Sequence, residues 1–227
     1  MSSPRPSHDV IVVGLGADGS AAAAHLAMRG ARVLGLEAFG RGHTNGSSGG
    51  LTRVIRLAYY EHPDYVPLLK RAWALWRELE AATGTELLRQ TGGVYVGPRD
   101  GELVAGSLRS AREHAIDHEL LDPAALRARL PLFHFDADWW GLTEATAGYL
   151  VPDAAIAAHQ ALAARHGADL RFDERVTGWM RDGDGVRVTT DREAHRAAKL
   201  VIAAGAWNAR LLPRIAPLLQ VKRVPLF

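Results

Sequence analysis

Residues Asp9–Glu37 read DVIVVGLGADGSAAAAHLAMRGARVLGLE. Asp9–Val13 is a β-branched run of the kind that forms a buried strand. Gly14, Gly16 and Gly19 follow in the spacing G-x-G-x-x-G. Ser20–Arg29 is alanine-rich and predicts a helix, with Gly30 placed to end it. Arg32–Leu36 predicts a second strand, closed by Glu37. Together these make a β-α-β unit. Gly14 permits the tight turn, Gly16 lets the backbone come close to a pyrophosphate, and Gly19 lets helix and strand pack together. The helix N-terminus offers free N–H groups and the positive dipole end to phosphate oxygens. A carboxylate at the end of the second strand, Glu37, can accept from ribose hydroxyls. Strand before, helix after and acid in place point to dinucleotide binding; the plain alternative is a glycine-rich turn with no ligand. Read alone, Asp18 is an acid turned to solvent and Glu37 a surface carboxylate.

Outward from this unit the pattern changes. Residues 38–52 hold Gly40, Gly42, Gly46, Gly49 and Gly50 among serines and threonines, a loop too long to be mere connection. Residues 65–82 carry Leu69, Trp73, Trp76 and Leu79 at helical spacing and stop near Gly84. Short strands are expected at 86–89 and 93–96, helices at 103–115 and 123–130, and two strands across 139–151. Pro152 opens an alanine-rich helix to Arg165. Strands are expected at 170–172, 176–180 and 186–190, with Asp182–Gly185 turning between the last two. Residues 199–204 predict a buried strand, and a helix begins at Trp207.

Composition narrows the class. The 227 residues are 48% hydrophobic and 23% charged, ordinary for a globular protein with room for one large domain or two small ones. The formal net charge is +2 with no Lys/Arg block, so neither nucleic acid nor a membrane surface is indicated. The absence of cysteine excludes disulfides, Cys-ligated metals and a thiol nucleophile within these residues. The start lacks the apolar core of a signal peptide, and no apolar run approaches ~18 residues. A soluble, cytoplasmic protein is the expectation. His114 and His118 are four apart but isolated, and no metal site is expected.

The glycine fingerprint does not separate FAD from NAD. The long loop followed by Thr52-Arg53-Val54-Ile55-Arg56 favours a flavin, which stays bound through turnover and needs more protein around it. Arg53 and Arg56, three apart, would share a face on a helical turn, where two guanidiniums could stabilise an anionic flavin or hold a carboxylate. Spacing alone favours two solvated arginines. The apolar run ending at Ala204-Gly205-Ala206-Trp207 suits a late strand passing near the cofactor, or simply a core strand with a glycine turn.

Five stretches in order carry a family resemblance: 9–19, Leu36–Phe39, His43–Ser48, Thr52–Arg56 and Tyr65–Leu68, continued by Thr91–Val94 and Gly205–Asn208. This set resembles monomeric sarcosine oxidase and N-methyltryptophan oxidase, within the D-amino-acid-oxidase-like group, from Asp9 to about Leu212. That family oxidises amino acids at the C–N bond, passing hydride to flavin and then electrons to oxygen to give hydrogen peroxide. The resemblance implies that Gly14, Gly16, Gly19 and Glu37 hold the ADP part, and that Ser47, Thr52 and Arg53 approach the flavin. It also implies a backbone contact near adenine at Val176 and substrate-carboxylate binding by Arg56. Ala17, Asp18, Ala38, Thr44, Ala204, Gly205 and Trp207 complete the expected cofactor-binding set, with Arg53 and Arg56 as the catalytic pair.

The chain departs from the family in three ways. Family members are considerably longer, and their later part supplies the flavin-linking cysteine and an oxygen-activating lysine; with no cysteine here, FAD is expected to be non-covalent. Ser48-Gly49-Gly50 stands where the family often has a histidine. Residues 221–227 resemble the start of a strand crossing into the substrate domain, which would leave a sheet edge without partners.

The expected fold is α/β, a Rossmann-type FAD-binding domain formed by residues 1–85 and 150–220, with a partial β-sheet substrate domain at 86–149 and 221–227. The expected function is FAD-dependent oxidation of an amino acid or N-methyl amino acid. An NAD-dependent dehydrogenase and a catalytically silent nucleotide-binding remnant stay open on residues alone.

Overall fold

The computed structural model describes residues 8–222. It opens with β1 (His8–Val13), α1 (Ala17–Met28) and β2 (Val33–Leu36). Next come β3 (Arg53–Ile55), α2 (Val66–Thr83), β4 (Leu88–Gln90), β5 (Gly93–Pro98), α3 (Glu102–Glu113), β6 (His118–Leu121), α4 (Pro123–Arg129), β7 (Trp139–Glu144) and β8 (Gly148–Leu150). The last elements are α5 (Pro152–Arg165), β9 (Asp169–Arg171), β10 (Val176–Asp182), β11 (Gly185–Thr190), β12 (Ala194–Ile202) and α6 (Asn208–Leu211).

The chain divides into two compact units, Met1–Leu51 with Pro152–Phe227, and Thr52–Val151. The division falls earlier than the boundary at 85 read from sequence. β3 pairs with β8, Arg53 opposite Leu150, and Val66 of α2 is buried in one core with Tyr95 and Leu142. Residues 52–85 therefore belong with the second unit. Residues 221 and 222 fall in the first unit, whereas 223–227 lie outside the described residues.

The first unit is α/β, as expected. Its six-stranded sheet runs β10-β11-β12-β1-β2-β9. β1 lies parallel to both β2 and β12, with Val13 opposite Leu36 on one side and Ile202 on the other. β2 is parallel to β9, while β10, β11 and β12 form an antiparallel meander. The β-branched run of β1 is buried as a central parallel strand should be: Ile11, Val13, Leu34, Leu36, Val188 and Ala197 share a core. α1 turns Ser20, Ala23, Ala24 and Ala27 inward, and α5 turns Ala155, Ala158, Leu162 and Ala163 inward. These small side chains let the two helices pack closely against each other.

The second unit contains two three-stranded antiparallel sheets, β3-β8-β4 and β5-β7-β6. Its core joins Leu57, Ala58, Val66, Tyr95, Ala111, Ile116 and Leu142.

Three local readings change. Thr52–Arg56 is not a helical turn: Arg53 opens β3 and Arg56 follows its end. β12 begins at Ala194, and its first half alternates exposed and buried residues instead of forming a buried run at 199–204, because it pairs with β11 before reaching β1. β6 forms where no strand was expected, so His118 lies in a strand while His114 caps α3.

Candidate functional site

The turn out of β1 shows two kinds of glycine. Gly14 has φ +87°, and a Cβ there would come within 2.5 Å of the Ala203 carbonyl oxygen. A Cβ on Gly19 would overlap the Gly14 carbonyl oxygen. Backbone packing alone demands these two. Gly16 differs: a Cβ there would meet no protein atom within 4 Å, and Gly16 lines a cleft. What its missing side chain keeps clear is space outside the protein.

That cleft lies wholly in the first unit and measures about 970 Å³ counted to its open mouth, a size suited to a cofactor. The N-terminus of α1 forms one wall. Its first helical bond runs from the Ser20 N–H to the Gly16 carbonyl at 2.9 Å, leaving the N–H groups of Ala17, Asp18 and Gly19 ahead of it. No side chain caps this end, so it offers donors and a positive dipole end to an anion.

Glu37 stands at the end of β2 and is only 7% exposed. Its Oε2 accepts from the Leu15 N–H at 2.8 Å and its Oε1 from the Phe39 N–H at 3.2 Å. His43 Nε2 lies 3.4 Å from Oε1. The Glu37 backbone N–H donates to the Arg171 carbonyl and the Glu37 carbonyl accepts from the Glu174 N–H, both at 2.9 Å. The carboxylate thus ties the glycine loop to β2, and Glu37 lines the cleft.

Of the residues expected from sequence, Gly14, Gly16, Ala17, Asp18, Glu37, Ala38, Ser47, Val176, Ala204, Gly205 and Trp207 line this one cleft. Gly19 supports it from behind. Thr44 is exposed and is not among the lining residues. The Asn45 N–H donates to His43 Nδ1 at 3.2 Å, a local turn that brings His43 to the cleft in its place.

Phe39, His43, Arg175 and Arg210 also line it and were not anticipated. Phe39 packs edge-on against Trp207 at 5.5 Å and against His43 at 4.9 Å, with the Arg175 guanidinium 5.4 Å from its ring centre. Phe39 and His43 fall within stretches that carry the family resemblance, whereas the one signal for Arg175 was that it precedes Val176. The turn at 204–207 is held by the Ala204 N–H donating to Asn208 Oδ1 at 2.9 Å.

Thr52, Arg53 and Arg56 belong to the second unit. Arg53 Nη1 donates to the Thr52 carbonyl at 2.8 Å. The Arg56 guanidinium lies 4.9, 5.4 and 5.6 Å from the ring centres of Tyr59, Tyr60 and Tyr95, and 3.7 Å from Glu61 Oε1. Aromatic faces suit a guanidinium plane and leave its N–H edges for a carboxylate.

Glu174, Glu193 and His195 bring donor atoms within 4.8 Å of one another in the first unit. Arg171 Nη1 sits 2.7 Å from Glu193 and 3.9 Å from Glu174, so a guanidinium already meets their charge. Burial raises the Glu174 pKa, but bonds from His195 and Thr190 outweigh it and hold the carboxyl below its usual range. The cluster reads as an ion-pair network bracing the meander.

A glycine loop at the end of a central parallel strand, an open helix N-terminus and an acid on the neighbouring strand define a Rossmann-type dinucleotide-binding unit. The FAD dependent oxidoreductase family model matches residues 9–226, and the chain belongs to that family. It is 48% identical over 218 residues to monomeric sarcosine oxidase from Streptomyces avermitilis, covering 96% of this chain and 57% of that protein. It is 36% identical over 217 residues to N-methyl-L-tryptophan oxidase from Citrobacter koseri, covering 96% and 58%. Among solved structures, NikD, an unusual amino acid oxidase essential for nikkomycin biosynthesis, superimposes in its open form with a TM-score of 0.82 at 33% identity, covering 92% of this chain and 54% of that one. The chain thus spans a little over half the length of the relatives it matches. Among the described residues no helix is long and apolar enough to cross a membrane.

Proposed function

We propose that this chain binds FAD without a covalent link and forms the cofactor-holding part of an oxidase acting on the C–N bond of an amino acid or N-methyl amino acid. Molecular oxygen is the proposed electron acceptor, hydrogen peroxide the product and the cytoplasm the compartment. The observation that carries the reading is Gly16: its missing side chain opens the backbone to the cleft beside the free N–H groups of α1. The match to sarcosine and N-methyltryptophan oxidases supports FAD over NAD and an amino-acid substrate over other reductants.

Each group has a distinct task. The N–H groups of Ala17, Asp18 and Gly19 donate to pyrophosphate oxygens. Glu37 accepts from the ribose while holding Leu15 in place. Phe39, Val176 and Trp207 give the cleft an apolar wall that excludes water from the nucleotide. Bound FAD supplies the hydride acceptor. Arg56 holds the substrate carboxylate through its N–H edges.

The test is titration of the purified protein with FAD, followed by peroxide assay on sarcosine and other N-methyl amino acids. Arg56→Ala should weaken a carboxylate substrate or its analogue by roughly 100-fold, the loss of a charge-assisted bond pair, and leave FAD affinity within about twofold. Equal loss of both would remove Arg56 from the role given to it. Failure to bind FAD would overturn the whole reading.

A further inference from the structure

Glu144, at the end of β7, is fully buried. Burying a carboxylate costs several kcal/mol unless its lone pairs are met, and here each oxygen has two donors. Oε1 accepts from the Leu57 N–H at 2.8 Å and Thr146 Oγ1 at 2.6 Å. Oε2 accepts from the Ala58 N–H at 2.9 Å and the Tyr95 hydroxyl at 2.5 Å. Four donors match an acceptor-only group.

The placement of these donors points to function. Leu57 and Ala58 are the two residues directly after Arg56, so their N–H groups fix the backbone that leaves β3 carrying that arginine. Both are themselves buried, which leaves this stretch little freedom. Tyr95 links the same carboxylate to the same arginine by another route. Its hydroxyl is bound to Glu144, and its ring centre lies 5.6 Å from the Arg56 guanidinium. Burial, the Glu144 bond and the Glu144 charge push the Tyr95 pKa well up, so the hydroxyl stays a donor.

We propose that Glu144 is a positioning residue for Arg56, setting its backbone through Leu57 and Ala58 and its guanidinium through Tyr95. The consequence is for carboxylate recognition at Arg56, and the inference rests on the role given to Arg56 under the proposed function. A core staple with no bearing on Arg56 is the competing explanation. It predicts lost stability but no change in the arginine of a folded variant.

The test uses the whole chain with acetate as probe, read by the side-chain Nε–Hε NMR signal of Arg56. Tyr95→Phe removes one hydrogen bond and keeps the ring. Glu144→Gln keeps the shape and turns one acceptor into a donor, so one of the four bonds must fail. In both variants the Arg56 signal should lose order while that of Arg53 does not, and acetate should bind about tenfold more weakly, the equivalent of one such hydrogen bond. Acetamide, which lacks the charge, should be unaffected. If Glu144→Gln does not fold, Tyr95→Phe decides alone. An unchanged Arg56 signal with acetate binding within twofold overturns the inference. Arg56→Ala separates the two readings: loss of acetate binding there, with none in Tyr95→Phe, defeats the positioning role only. Acetate binding that survives Arg56→Ala defeats the carboxylate role of Arg56 and this inference with it.

Discussion

Each unit is organised around a buried glutamate that captures two backbone N–H groups. In the first unit Glu37 holds Leu15, 22 positions away, and Phe39 beside it. In the second, Glu144 holds Leu57 and Ala58, 87 and 86 positions away. Glu37 lines a cleft and has His43 beside it; Glu144 is enclosed, with all four acceptor positions met inside the protein. The same side chain stands at the wall of a cleft in one unit and inside the core in the other. Burial by itself does not tell the two apart; the cleft beside Glu37 does.

The comparison breaks most visibly under leucine substitution. Glu144→Leu leaves the Leu57 and Ala58 N–H groups buried without acceptors and should cost about 4 kcal/mol, lowering the urea midpoint of the second unit. Glu37→Leu should cost about half as much but abolish detectable FAD binding. Equal stability losses, or FAD binding that survives, would contradict the contrast.

The glycines give a smaller, sharper version. Gly19→Ala forces a Cβ into the Gly14 carbonyl and should destabilise the first unit by about 3 kcal/mol. Gly16→Ala meets nothing in the protein, so thermal stability should hold while FAD affinity falls about tenfold. A stable Gly19→Ala protein would show that the loop can relax around the added methyl group.

The smallest effect is a pH dependence confined to the first unit. Burial between the helices, with His25 nearby, pushes the His159 pKa from 6.5 down to about 4. The unfolded chain therefore takes up a proton between those values that the folded chain refuses. Stability from this group is complete above pH 6.5 and is lost as the pH falls toward 4. His159→Leu should flatten the acid-side fall in Tm by several degrees. An unchanged slope would assign the acid sensitivity to other groups.

The same contrast explains what could be read from sequence. The first unit was legible at β1, α1, β2 and Glu37 because glycine punctuation, a β-branched run and an acid at fixed spacing are local signals. Arg175 and Arg210 were not, because tertiary packing brings them to the cleft and no pattern marks them; Phe39 and His43 stood in the resembling stretches but were given no role. β3 and β6 were missed since three or four residues with charges, such as His118-Glu119-Leu120-Leu121, carry too little periodicity. Glu144 was invisible for a deeper reason. Its donors lie far away in sequence, and an acid after Thr143 reads as solvated until the chain is folded.

The first unit also has a discontinuous history. β1 is central, yet one neighbour is β12, with Val13 opposite Ile202. During synthesis the glycine loop emerges early, but one flank of its strand stays open until residues 194–202 have left the ribosome. The whole of 52–151, a compact unit, emerges in between. Such a distant pairing makes closure of the sheet slow. A nascent chain therefore holds every residue of the second unit before it holds every residue of the cleft.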